Sequence, residues 1–368
     1  MEFPWPCGTA DVRSDFCDAR PDGTWRYRAL PAGKDRAMIE IVETGPFNTV
    51  QDLGRPGYRD IGVSASGAMD PLAVKIGNIL VGNDDEAAAI EVQTFPFKLR
   101  FETSGVFAVT GADGYPMLDG RKVLSWCTHV AEPGQILELR QPPSLARAYI
   151  VFRGGIDVPV LMGSRSTSLR GGFGGNAGRP LINGDRIEFG MPSDVLPLPS
   201  NGIGVIEPAV ALRDAFPSPV DGVLPIRAIT AGEHELFAAD GEPFWSQTWR
   251  ISSSSDRTGY RLSGEPIKPT ATIEMRSHGV VPGVIQVPPS GEPIIQMSDA
   301  NTAGGYPKIA GVIECDLWRL GQARIGTRLR FVRSTHAEAR SVEQAVTRYV
   351  EDVRRTSQMV KRALKAMA

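Results

Sequence analysis

The feature that most constrains this chain is a short unit in which a glycine turn is followed by an alternating strand. It occurs as Gly134-Gln-Ile-Leu-Glu-Leu139, Gly184-Asp-Arg-Ile-Glu-Phe189 and Gly326-Thr-Arg-Leu-Arg-Phe331. Glycine supplies the backbone freedom of the turn, and the period of two gives each strand one buried and one wet face. The copies are too sparse for a solenoid and read as closing strands of barrel-like sheets. With 40 glycines and 29 prolines spread along 368 residues, turns are frequent enough for a mainly β chain.

Two segments break that pattern as helices. Asp70-Pro71 opens the first, with aspartate as N-cap and proline at the first helical position. Leu72, Ile76, Ile79 and Leu80 share a face, and Gly82 is the stop. The second spans about 337–366, where Val342, Val346, Tyr349, Val353, Val360, Leu364 and Met367 recur at helical spacing. Its basic second half suits a helix C-terminus. Residues 1–37 mix Pro, Gly, Asp and Arg without a period and are expected to be a flexible extension; Met38 is a candidate native start. The expected organisation is therefore 1–37 extension, 38–190 first β unit with Gly-rich loops, 191–223 linker, 224–335 second β unit and 336–368 C-terminal helix.

Composition excludes several classes. The net charge of −2 gives no general attraction to nucleic acid or an anionic membrane. No apolar run reaches the length of a bilayer-spanning helix, and the N-terminus lacks a signal-peptide pattern, so a cytoplasmic protein is expected. The four cysteines form no CxxC pair, and with four histidines they suggest neither a metal site nor a disulfide framework. There is no P-loop and no HExxH, and Gly62-Val-Ser-Ala-Ser-Gly67 fails the nucleophile-elbow pattern. No catalytic residue can be assigned from these patterns.

What remains is a set of Gly-rich loops carrying polar side chains. Such loops bring backbone N–H groups and cations up to oxyanions, carboxylates or phosphates. The substrate-binding candidates are Asp70, Asn78, Arg153, Asp157, Arg165, Asp299, Asn301, Tyr306 and Lys308. Several also have a purely structural explanation. Asp70 can be only a helix cap, Asn78 can brace a loop, Asp157 can hold a turn with Arg153, and Tyr306-Pro307 can be a rigid corner.

Seven runs occur in a familiar order. They are Thr49-Val-Gln-Asp-Leu-Gly-Arg-Pro-Gly-Tyr58, Ser66-Gly-Ala-Met-Asp-Pro71, Leu80-Val-Gly-Asn83, Arg153-Gly-Gly-Ile-Asp157, Leu161-Met-Gly-Ser-Arg-Ser-Thr167, Ser255-Asp-Arg-Thr-Gly-Tyr-Arg-Leu262 and Gly304-Gly-Tyr-Pro-Lys-Ile-Ala310. Over roughly 38–335 the chain resembles the allophanate hydrolase subunit 2 family. That family includes the 5-oxoprolinase C subunit, also described as a kinase-inhibitor antagonist, and half of the carboxyltransferase region of urea amidolyase. The resemblance implies a cyclophilin-like β-barrel architecture in two β units. It implies a subunit of an amide-bond hydrolase, inactive alone, working in a hetero-oligomer. The implied partners are a B-type subunit (allophanate hydrolase subunit 1-like) and a third, lactamase subunit. The activity implied is ATP-dependent opening of 5-oxoproline to glutamate, with no covalently bound cofactor and ATP used by the assembled complex. The alternatives are a carboxyltransferase component acting on urea or another small amide, with carboxybiotin on a separate carrier, and a non-catalytic binder of a kinase-inhibitor protein. One stretch departs from the family pattern: Asp299-Ala-Asn-Thr-Ala303 stands where Asp-x-Gln-Thr-Thr is usual, which shortens one amide and deletes one hydroxyl.

Overall fold

The computed structural model describes residues 17–19, 25–27, 37–190, 202–237, 241–271 and 275–367. Most of the expected N-terminal extension and residues 191–201 of the expected linker lie outside the described residues. Of the extension, Cys17–Ala19 and Trp25–Tyr27 pair as a small antiparallel ladder, too short to leave a period in the sequence. That segment forms its own compact unit, and residues 37–368 form the other.

The body begins with two facing sheets. One has the order Arg186–Phe189, Ala37–Glu43, Phe97–Phe101, Ile136–Leu139, Met117–Leu118, Arg121–Lys122. The other runs Thr128–Ala131, Gly105–Gly111, Ala148–Phe152, Ala89–Val92, Thr49–Gln51. Alternation places Ile39, Ile41, Phe97, Leu99 and Phe101 of the first sheet in one core with Ile90, Phe107, Val109, Ile150 and Phe152 of the second. Each large apolar side chain so buried contributes about 1.5–3 kcal/mol.

The second sheet is buried on both faces, and all of Ala148–Phe152 is inaccessible. Its outer face receives the helix Pro71–Val81, nine of whose eleven residues are buried. Asp70 caps that helix by accepting from the Ala73 N–H, and Gly82 ends it with φ 89°. Ile76 and Leu80 share a cluster with Tyr149 and Val151 below and with Val346, Tyr349 and Val353 of the C-terminal helix His336–Met367 above. The C-terminal helix therefore covers a helix, using the apolar stripe seen in the sequence. Part of the expected linker is also structured: Ile203 exchanges hydrogen bonds with Thr128, and Val205 donates to the Trp126 carbonyl. Its apolar residues extend the edge of the second sheet.

The second β unit is a closed barrel in the order Val223–Thr230, Lys308–Val312, Val284–Gln286, Ile294–Gln296, Gly259–Ser263, Trp249–Ile251, Arg328–Arg333. Closure comes from parallel pairing of the first and last strands. Ile226, Trp249, Leu262, Ile285, Ile295, Leu329 and Phe331 fill it. One member of that core comes from elsewhere: Met69, from the loop before the buried helix, packs among the barrel residues. The two β units are thus built around a shared segment.

Two glycines show different constraints. Gly134 has φ 88° and open space around a would-be Cβ, so only its backbone conformation matters. Gly77 is helical, but a Cβ there would lie 2.6 Å from Val151 Cγ2. We expect Gly134→Ala to cost about 1–2 kcal/mol and Gly134→Asn less, since asparagine tolerates the left-handed region. Gly77→Leu should cost about 3 kcal/mol by forcing the helix off the sheet. Denaturant unfolding of the three variants checks that ordering.

Candidate functional site at the junction of the two units

Between the sheet edge at Gln51 and the helix start at Pro71 the chain makes a long excursion that ties itself down at its root. The Ala68 N–H donates to the Asp52 carbonyl, and the Arg55 N–H to the Ala65 carbonyl. The buried Asp52 carboxylate accepts from the Gly54 N–H at 2.7 Å, Ser164 Oγ at 2.7 Å, Ser166 Oγ at 2.5 Å and the Arg165 N–H at 2.5 Å. This clamp joins the excursion to the Leu161–Thr167 loop. Arg55, fully buried, donates to the Ser166 carbonyl and lies 4.9 Å over the Phe173 ring. At the tip, Arg59 crosses to the barrel, donating to the Val280 carbonyl and, at 2.8 Å, to that of Asn301. Burial lowers its pKa.

Beneath the excursion lies a buried ionic network. Glu91 sits in a central strand with its side chain on the barrel side, level with Tyr149 on the neighbouring strand. It accepts from the Met69 N–H at 2.9 Å, from Tyr149 at 2.8 Å and from Arg257 of the barrel. Arg257 also donates to Asp299 Oδ2 at 3.0 Å and to the Gly67 carbonyl at 2.5 Å. Arg147 lies 3.7 Å from Glu91 and donates to Tyr260 Oη at 3.0 Å and Gln93 at 2.9 Å. Gln322 bridges Asp70 Oδ2 at 2.8 Å to the Arg147 carbonyl at 3.0 Å. Burial pushes the Glu91 carboxyl up, but Arg257, Arg147 and its two hydrogen bonds outweigh it and leave it lowered. For Arg257, burial is outweighed by Asp299 and Glu91, and its pKa is raised.

Asp70 behaves oppositely. Burial is its largest influence, only partly offset by Gln322 and the Ala73 N–H, and its pKa rises from 3.8 to about 6. The folded state therefore holds this proton more tightly than the unfolded chain. Its contribution to stability is complete below pH 3.8 and lost as pH rises through about 6. Glu91 works the other way: its contribution is present above its ordinary pKa and lost as pH falls.

The nine sequence candidates separate into groups. Asp70 and Asp299 both join the ionic network. Asp157 and Arg165 pair at 3.1 Å, and Arg165 also donates to the Val158 carbonyl at 2.6 Å, beside the Asp52 clamp. Asn301 and Tyr306 lie on the barrel side: the Asn301 carbonyl receives Arg59, and the Tyr306 carbonyl receives Gln286 at 2.9 Å. Lys308 begins a barrel strand next to a bulge, and its N–H donates to Glu233 at 3.0 Å. Asn78 and Arg153 sit at the other end of the buried helix. Asn78 donates to the Asp85 and Ala87 carbonyls at 3.0 and 2.8 Å, and Arg153 donates to the Val81 carbonyl at 3.0 Å. Those contacts close a loop and a helix end.

Sequence reasoning missed Glu91, Arg147, Gln322 and, as individual residues, Asp52, Arg55, Arg59 and Arg257. Asp52, Arg55 and Arg257 lie within the seven runs, and their signal was a charged residue within two positions of a glycine. The structure adds a further marker. Among the described residues, Gln51 Oε1, Arg59 Nη1, Ser66 Oγ, Gln296 Oε1 and Asn301 Oδ1 are buried and find no hydrogen-bond partner. Unpaired buried polar atoms are costly and mark places where a bound molecule completes the bonding. The set combines acceptors with one cationic donor and a hydroxyl, and so suits a small polar molecule bearing N–H and C=O groups.

Asp70→Asn keeps the helix cap and an acceptor for Gln322. It should stabilise the protein by about 3 kcal/mol at pH 8, the value of a rise from 3.8 to about 6, with the gain vanishing towards pH 4. Glu91→Gln should instead cost about 3–5 kcal/mol at pH 7, because it leaves two buried guanidinium groups undercompensated. Unfolding free energies between pH 4 and 8 check both.

A family profile described as carboxyltransferase domain, subdomain A and B, matches residues 61–333. The chain is 40% identical over 316 residues to the 5-oxoprolinase C subunit of Escherichia coli (strain K12), covering 86% of this chain and 97% of that protein. The Haemophilus influenzae protein of the same name is 38% identical over 319 residues, with 86% and 98% covered. Urea amidolyase of Saccharomyces cerevisiae is 32% identical over 325 residues, which are 83% of this chain and 17% of that one. Among solved structures, the Kluyveromyces lactis urea amidolyase superposes with a TM-score of 0.77 at 29% identity, covering 88% of this chain and 20% of that chain. The crystal structure of TTHA0988 gives 0.69 at 28% identity, with 82% and 57% covered. The chain thus spans a fifth of one solved relative and just over half of the other, but nearly the full length of the two bacterial proteins. It belongs to the carboxyltransferase-domain family that includes the 5-oxoprolinase C subunit.

Proposed function

We propose that this chain is the C-type subunit of an ATP-dependent 5-oxoprolinase, which opens the lactam 5-oxoproline to glutamate. The observation that carries this reading is the 97% coverage of the E. coli 5-oxoprolinase C subunit at 40% identity. The match runs over nearly the whole of that subunit, whereas it covers only 17% of the yeast urea amidolyase. The alternative, a carboxyltransferase component acting on urea or another small amide, is favoured by the superposition on urea amidolyase.

A lactam is an unreactive amide whose carbonyl carbon must be made electrophilic before water adds. On this reading, the acceptor atoms of Asn301 and Gln296 face the substrate N–H, and Arg59 meets its carboxylate. Asp299 is a positioning residue that holds Arg257, and through it the Gly67 carbonyl. ATP serves the assembled complex, whose other members are a lactamase subunit plus one of the B type. The low independence of the site fits such an assembly, because each carboxylate described in it is already held by hydrogen bonds or an ion pair within the protein.

The test is reconstitution. This chain with its two partner subunits, ATP and 5-oxoproline should release glutamate, and omission of this chain should abolish release. Arg59→Met should reduce kcat/KM by at least tenfold in a chain that still folds and assembles. A complete assembly that releases no glutamate, yet carboxylates urea when given a carboxybiotin carrier, would move the chain to the alternative.

A further inference from the structure

The turn at Ser66-Gly67 is unlike the rest of the excursion. Ser66 has φ 55° and Gly67 φ 95°, so two successive residues are left-handed, one of them carrying a side chain. A non-glycine residue in this region is uncommon, and such strain persists only where the surroundings enforce it. Here the enforcement is visible on the carbonyl side. Arg55 N–H holds the Ala65 carbonyl, Arg257 the Gly67 carbonyl and Ser298 Oγ the Ala68 carbonyl at 3.3 Å. Met69 is anchored in the barrel core, and its N–H is held by Glu91.

The donor side is different. Among the described residues, neither the Ser66 nor the Gly67 N–H finds a protein acceptor, whereas the N–H groups of Ala68, Met69 and Asp70 all do. Ser66 is only 7% exposed, and its buried Oγ has no partner either. Two residues therefore hold three hydrogen-bond donors that no described residue uses, at a point where the Ala65, Gly67 and Ala68 carbonyls are all held. Ser64 and Ala65 just before it are half-buried and Asp60–Gly62 are exposed, so the turn lies one step in from the surface.

We propose that the Ser66 N–H, the Gly67 N–H and the Ser66 hydroxyl form an oxyanion-binding turn that takes the carbonyl oxygen of a small amide. Fixed donors in a dry site stabilise the negative charge that grows on that oxygen when the carbonyl carbon is attacked or the amide nitrogen gives up its proton, without reorganisation. The Arg55 N–H, bound to the Ala65 carbonyl, polarises the peptide unit that carries the Ser66 N–H. The proposal rests on the amide-substrate reading above and adds which group holds the oxygen. A lactam and urea present the same carbonyl chemistry, and the test separates them.

Ser66→Gly retains both N–H groups and relieves the left-handed strain, so it should melt at the same or a higher temperature. In the assembled complex it should lower kcat by ten- to a hundredfold with little change in KM, the signature of an interaction made mainly in the transition state. Independently, the ¹⁵N-labelled chain is titrated with 5-oxoproline and with urea. Saturable downfield shifts of the Ser66 and Gly67 amide protons support the proposal, and the ligand that produces them identifies the substrate source. Saturable shifts elsewhere with these two amides unmoved overturn it, as does the absence of a saturable shift with either ligand. An active complex unimpaired by Ser66→Gly overturns the turn and leaves the 5-oxoprolinase reading standing. An inactive wild-type complex whose chain still shows the Ser66 and Gly67 shifts removes that reading and keeps the turn.

Discussion

Glu91, Arg257 and Asp299 form the contact on which the rest of the structure depends. A carboxylate in a strand buried on both faces is unfavourable unless it is paired and fully hydrogen-bonded. Glu91 meets that condition only with groups from three places: Tyr149 on the adjacent strand, Met69 on the excursion, and Arg257 on the barrel. None of these elements can shift alone without stranding a charge. The network therefore acts as a register pin between two β units that have separate cores. Its charges also balance, with Glu91 and Asp299 set against Arg147 and Arg257, which fits Asp70 retaining its proton up to about pH 6.

The pin explains why the site sits where it does. The chain from Asp52 to Asp70 is clamped at its root by Asp52, crosses to the barrel through Arg59, and is pulled down behind by Met69 and Arg257. The Ala65, Gly67 and Ala68 carbonyls around the Ser66-Gly67 turn are held from outside it. The stability of the network is thus converted into a strained turn with free donors, which is what a preorganised binding site requires.

How much of this was legible in the sequence depends on how local the signal is. The Asp70 cap, the Gly82 stop and the apolar stripe of the C-terminal helix are written within a few residues of one another, and they appear in the structure with those roles. The glycine-turn strands are equally local, and Gly134, Gly184 and Gly326 all have φ between 86° and 88°. The ionic network was not legible because its members are far apart: Arg257 and Glu91 are separated by 166 positions, and Arg147 and Tyr260 by 113. Ala89-Ile-Glu-Val92 simply reads as a strand with one charged residue. Conversely, Arg153 stands in a recognisable run and Asn78 within the capped helix, yet their contacts close a helix end and a loop. A motif marks a polar residue as constrained without saying whether backbone or ligand supplies the constraint.

The central claim is that the buried charges hold the excursion, rather than merely fastening two units together. Hydrogen–deuterium exchange on the triple variant Glu91→Gln, Arg257→Met, Asp299→Asn tests this most directly, since the substitutions remove every charge of the network except that of Arg147 with little change in volume. The account predicts that amides in the strands Phe97–Phe101 and Gly259–Ser263 stay protected while those of Ala68 to Asp70 exchange at least tenfold faster. Unchanged protection of Ala68 to Asp70 in a folded triple variant would contradict it.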